Sequence, residues 1–335
     1  MGSQHLQWHG CLRAWSGTVA LTIWLLCVGV ALAGAPARPY RVAVLTLGGP
    51  YYVALEGLRE GLAQVGYHEG QDISFMVEDV QGEVNTLADR AARIVEAKPD
   101  LIFTIGTVAT AAMKQATTTL PIVFAFVADP LRSGLIASYA SSQSNLAGIT
   151  SYAGPLSGKR LEILKEIAPE IKRVLVLVEP HEPTTEVPLQ FLVEVAPKLG
   201  IELLRHDVTS KADIEQRLKA LPVGAVDAIY FLPSNLVRAS LKLLVDKAKE
   251  DKIPLCVSEV SMVEQGALVS YGTDLRRLGM QAARLVAKIM KGAKPSEMPI
   301  QTPEQLLLTV NLATAKTIGL DIPHSILESA ERLVE

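Results

Sequence analysis

The chain has 335 residues, a formal charge of −3, 49% hydrophobic residues and only 5% aromatic ones. That length holds one large or two ordinary domains, and the composition is that of a soluble α/β protein. A slightly acidic balance excludes a nucleic-acid face built on bulk electrostatics.

Residues 1–35 carry one formally charged side chain, Arg13, ahead of the apolar run "GTVALTIWLLCVGVALA" from Gly17 to Ala33. Ala31-Leu32-Ala33 has the small-residue spacing of a cleavage site. The segment therefore reads as a signal peptide cut near Ala33 and followed by a linker, which puts the mature protein outside the cytoplasm. The alternative is an uncleaved anchor, since the run approaches the roughly 20 residues that span a bilayer. Leu26 is too bulky for a lipid-attachment motif at Cys27. Cleavage leaves Cys256 as the lone cysteine and a charge of −4, from 31 basic and 35 acidic residues. No internal disulfide is then possible, and no Cys/His cluster has zinc spacing, so no metal or cofactor is expected.

From Arg41 onward, strand and helix patterns alternate. "VAVLTL" (Val42 to Leu47) is a buried strand, and the helical run after it ends at Gly66. "DISFMVEDV", a helix around "VNTLADRAARIVEAK" and the strand "DLIFTIG" follow. A helix from Thr107 to about Thr118 then leads into the strand "IVFAFVA". Strands separated by helices mean βαβ units and a parallel sheet.

The pattern then recurs in the same order. "RVAVLTL" is matched by "RVLVLVE" (from Arg173), the helix ending at Gly66 by one ending at Gly200, and "EDV" ending at Val80 by "HDV" ending at Val208. "PDLIFTIGT" is matched by "VDAIYFLPS", from Pro99 to Val226, an offset of 127 residues. "LPIVFAFV" is matched by "IPLCVSEV", and "NLAGITSY" by "EQGALVSY". The expected fold is α/β: two similar doubly wound parallel-sheet lobes joined by a multi-strand hinge. Crossings after "AGITSY", after "ALVSYGTD" and near Pro299 to Leu308 assign residues 36–150 plus about 274–300 to one lobe. The other lobe takes 151–273 plus about 301–335.

Ligands of open parallel sheets bind beyond the carboxyl ends of the strands, where helix N-termini favour anions. The candidates are therefore the residues that follow each strand. In the first half these are Tyr51 and Tyr52 in "GGPYY", Gly106-Thr107, and Asp129. In the second half they are Glu179, Ser234-Asn235 and Glu259. The crossings add Ser151, Tyr152 and Tyr271. Carboxylates suit an ammonium, helix ends a carboxylate and tyrosines an apolar ring, so the set fits a small amphipathic solute. Bland readings stand beside these: Thr107 and Ser234 are ordinary N-caps, Asp129 before Pro130 is a turn residue, and only one of two adjacent tyrosines can face the same way.

"IVFAFVADPLRSGLIASYASSQSNLAGIT" resembles the P-I-V-F…D-P…G-L…N-x-x-G core of ABC-transporter substrate-binding proteins of the periplasmic binding protein type I fold. It is similar in particular to the branch linked to uptake of tryptophan, tyrosine and related solutes. The tail from Val269 resembles the same family, with G-x-x-A-A…N-x-x-x-A-x-x-x-G-x-x-I-P. The resemblance implies an extracytoplasmic solute receptor that hands a small molecule to a membrane ABC permease, and a monomer is expected. Thr107 matches the family's G-T, Asp129 its D-P, and Asn235 the Asn of a D-N pair in which Ser234 replaces the common Asp. "GGPYY" departs from the frequent His-Pro turn.

Two other functions compete. The same fold serves as a ligand-sensing subunit for a membrane receptor kinase, and doubly wound sheets host enzymes. Against an enzyme, G-x-G-x-x-G, G-x-x-x-x-G-K-[ST] and G-x-S-x-G are all missing. His181 is the one plausible base, with no nucleophile to place near it, so no catalysis is expected.

Overall fold

The structure is a computed structural model that describes Gly2 and residues 38–335 apart from His181. The leader over residues 1–35, its cleavage near Ala33 and the candidate base His181 lie outside the described residues. Among the described residues no helix is long and apolar enough to cross a membrane.

The first sheet has five parallel strands: β1 (Tyr40–Thr46), β2 (Ile73–Asp79), β3 (Leu101–Ile105), β4 (Ile122–Val127) and β5 (Leu146–Thr150), in the order β2-β1-β3-β4-β5. The second holds β6 (Arg173–Val178), β7 (Glu202–Asp207), β8 (Ala228–Tyr230), β9 (Leu255–Val257), β10 (Val269–Gly272), β11 (Leu307–Asn311) and β12 (Arg332–Val334). Its order is β12-β11-β10-β9-β8-β6-β7. Read from its far end it runs β7-β6-β8-β9-β10, the same arrangement as the first sheet with two strands added. The recurrence in the sequence is therefore a recurrence of topology. β11 is antiparallel to β10 because the chain re-enters this sheet from the opposite direction.

Strands such as β1, β3 and β4 are near-continuous apolar runs because helices cover both faces of the sheet. The helix Leu275–Met290 comes late in the chain but completes the first core, with Leu278, Ala282, Leu285 and Val286 among the residues of β1, β3 and β4. It crosses the helix Tyr52–Gln64 at backbone contact: a Cβ on Gly279 would stand 2.0 Å from the Ala54 carbonyl. The second sheet carries a separate core on each face.

The chain passes between the two sheets three times: after Thr150, after Gly272 and between Gln301 and Leu307. Gln301 is tied to the edge of the first sheet. Its N–H donates to the Gly148 carbonyl and its carbonyl accepts from Thr150 N, both at 2.9 Å. Gln281 holds its side chain from the covering helix at 3.0 Å. The helix expected to reach about Thr118 stops at Ala116. Thr117 is extended there, and its hydroxyl accepts from Thr119 N and Leu120 N.

Candidate functional site

The carboxyl ends of the parallel strands in the two sheets face each other across a cavity. From the first half it is lined by Leu47, Tyr51, Gly106-Thr107-Val108, Phe126 and Ala128. From the second half Arg160, Ser234-Asn235, Arg238 and Ser258-Glu259 face them.

Gly106 sits between β3 and the helix Thr107–Ala116 at φ +90°, a conformation open to glycine at no steric cost, and this turns the helix start toward the cavity. Thr107 is buried, and its hydroxyl accepts from Ala128 N at 3.1 Å, which pins the end of β4. Phe126 has φ +62° inside a register break between Ala125 and Val127. Such a bulge re-aims one side chain. Here the aromatic ring is brought to the cavity wall, 6.0 Å from the Tyr51 ring between centroids at 58°.

On the opposite wall Arg238 donates through both terminal nitrogens to the two carboxylate oxygens of Glu259, with 16% and 2% side-chain exposure. Burial pulls the guanidinium's pKa down, but Glu259 and Tyr51 more than reverse this, and the group stays charged. Burial raises the Tyr51 phenol above its usual range, with Arg238 acting the other way. Ser234 lines the cavity with its hydroxyl committed: it caps Val237 N at 3.1 Å and donates to Glu179 at 2.6 Å.

Of the twelve candidates, Tyr51, Gly106, Thr107, Ser151, Ser234, Asn235 and Glu259 come together around this cavity. The other five do not. Tyr52 is one helical step from Tyr51, which rotates it outward, and its hydroxyl donates to Asp79 at 2.9 Å. Asp129 serves its turn, accepting from Leu131 N, Arg132 N and the Tyr139 hydroxyl. Tyr152 takes a left-handed backbone, φ +56°, and is left 41% exposed. Glu179 lies behind Ser234 and faces a separate recess with Pro180 and Glu182. Tyr271 packs on the second core and offers the site only its carbonyl.

Looking past the strand ends misses Arg160, Arg238, Phe126, Thr184 and Thr273, all on the wall. Arg238 could have been found one helical turn after Ser234, on the same face. Arg160 lies two turns into the helix Ala153–Ile167 and has no local signature.

Two lobes of repeated topology, with loop-bearing rims enclosing a polar and aromatic cavity, define a two-lobed solute receptor. Residues 41–334 match the model of the ABC transporter substrate binding protein family, and the chain belongs to that family. Proteins of this family act outside the cytoplasm, capture a small molecule and deliver it to an ABC permease. The "Tyrosine-binding protein" of Clostridioides difficile (strain R20291) is 28% identical over 267 residues, 80% of this chain and 76% of that one. A solved conserved domain protein of Vibrio cholerae is 29% identical, with TM-score 0.82 over 88% of this chain and 100% of its own. A Streptococcus pneumonia ABC domain solved in complex with L-Trp shares the fold at 24% identity, TM-score 0.82, over 89% of this chain and 100% of its own.

Proposed function

We propose that the protein captures a small amphipathic solute, of the size and class of an aromatic amino acid or a related acid, in this interlobe cavity and releases it unchanged. The observation that carries the reading is that one cavity draws walls from both sheets, with a helix start and a hydroxyl (Thr107) facing two arginines, beside the paired aromatic rings of Tyr51 and Phe126. Tyr51, Gly106, Thr107, Ser151, Ser234, Asn235 and Glu259 are then contact residues, joined by Phe126, Arg160 and Arg238. The names of the tyrosine-binding relative and the L-Trp complex support the same ligand class.

The cavity volume is about 50 Å³, room for a few water molecules, so a solute of that size enters only when the lobes separate and re-close around it. In this reading the moving bodies are residues 36–150 with about 274–300, and 151–273 with about 301–335. The chain acts as a monomer, freed from its leader near Ala33. Denaturing the purified protein and identifying the released solute by mass spectrometry tests the proposal. The solute, added back to stripped protein, is expected to bind one to one and raise the thermal midpoint. Chemical conversion of the solute, or no stabilising compound in a broad metabolite panel, would overturn it.

A further inference from the structure

Arg160 is buried, with 3% exposure. Nε donates to the Tyr271 carbonyl at 2.6 Å, and the guanidinium lies beside the Tyr230 phenol and the Cys256 thiol. Nη1 has no hydrogen-bond partner among the described residues, although the side chain borders the cavity. A buried cation with an unmade hydrogen bond is costly, and its natural complement is an oxyanion in bidentate contact.

The facing wall repeats the demand. The helix Thr107–Ala116 opens on the cavity, and its first N–H groups have no intrahelical acceptors and carry the positive end of its dipole. The charge balance of the wall then decides what else the solute carries. Among the described lining residues Glu259 is the one acid, and both its oxygens are taken by Arg238. Among the described lining residues no carboxylate is free of a cation, Glu179 and Glu182 stand behind Ser234 and Thr184, which donate to them, and an ammonium would face two guanidinium groups.

Resting on the receptor reading above, we propose that the solute is a carboxylate without an α-ammonium group. Its carboxylate bridges Arg160 and the start of the helix Thr107–Ala116, and its apolar body lies against the paired rings of Tyr51 and Phe126. The lobes then close because one anion satisfies a donor set from each of them.

Calorimetric titration of the purified protein with matched triplets tests this. The triplets are 3-phenylpropionate, phenylalanine and 2-phenylethylamine; 3-(indol-3-yl)propionate, tryptophan and tryptamine; and 4-methylpentanoate, leucine and 3-methylbutylamine. At least one carboxylate is expected to bind tenfold or more tighter than its amino acid, and no amine to bind. Arg160→Gln is expected to weaken that carboxylate at least tenfold, with Arg160→Lys retaining part of the affinity. An amino acid that equals or exceeds its des-amino partner overturns the proposal, as do silence from every carboxylate and unchanged affinity in Arg160→Gln. The triplets on the unsubstituted protein decide the question even where Arg160→Gln does not fold. Tight binding of an amino acid would sink this inference and leave the receptor reading standing.

Discussion

The guanidinium of Arg238 lies 5.7 Å from the centroid of the Tyr51 ring, joining a residue of the second half of the chain to one of the first across the cavity. Tyr51 is buried, and Glu259 holds Arg238 in place from behind. The contact lies between the lobes, so its strength bears on closure more than on folding. A desolvated cation–π contact contributes roughly 0.5–2 kcal/mol.

Tyr51→Leu is therefore expected to weaken solute binding several-fold, while Tyr51→Phe stays within about twofold. Glu259→Gln leaves the Arg238 charge buried and unpaired, and breaking such a pair costs about 3 kcal/mol. Urea unfolding together with titration of the bound solute separates the two effects. Equal affinity in Tyr51→Leu would remove the ring from the closing contact.

Asp129 tests whether the strand end or the turn owns the carboxylate. Its Oδ1 accepts from Leu131 N at 3.1 Å and Arg132 N at 3.0 Å. Losing such a local cap costs about 1 kcal/mol. Asp129→Ala is expected to lower the urea midpoint by a matching amount with solute affinity nearly unchanged. A tenfold loss of affinity at constant stability would return Asp129 to the site.

Gly279 sets how closely the helix Leu275–Met290 approaches the helix Tyr52–Gln64. A methyl group there would collide with the Ala54 carbonyl and stand 2.7 Å from Leu58 N, and both atoms are backbone. Overpacking at such a crossing costs roughly 1–3 kcal/mol. Gly279→Ala should lower the thermal midpoint by several degrees in differential scanning calorimetry. A wild-type midpoint would mean that the helices can slide apart freely.

Burial pushes the Cys256 thiol up to about 12, Arg160 acting the other way. An unfolded thiol ionises near pH 8.5. Above that the unfolded state has lost a proton that the folded state keeps, so stability falls as pH rises toward 12, by up to about 1.4 kcal/mol per pH unit. Urea midpoints measured from pH 7 to 11 should be flat at first and then decline. With Cys11 and Cys27 replaced by serine, Cys256→Ala should flatten the early part of the decline. A thiol reagent labelling Cys256 at pH 8 in the folded state would contradict its burial.

Much of the architecture was legible from residue patterns. Continuous apolar runs mark strands covered on both faces, and the paired segments "PDLIFTIGT" and "VDAIYFLPS" occupy corresponding strands of the two sheets, β3 and β8. The rule that ligands meet strand ends brought Thr107 and Asn235 to one cavity. It did not separate Tyr51 from Tyr52, because adjacent residues share every local property and differ only in which way the helix turns them. Nor did it reach Phe126, whose direction comes from a break in strand register.

The amino-acid order by itself determined the two-lobed repeat, the family and the loops where work could be done, because periodicity and turn chemistry are local. Only the tertiary structure decided which charges meet. Arg238 and Glu259 are 21 positions apart and neutralise each other, while Arg160 borders the cavity and its Nη1 has no partner among the described residues. Charge pairing depends on distance through space, and sequence separation does not encode it.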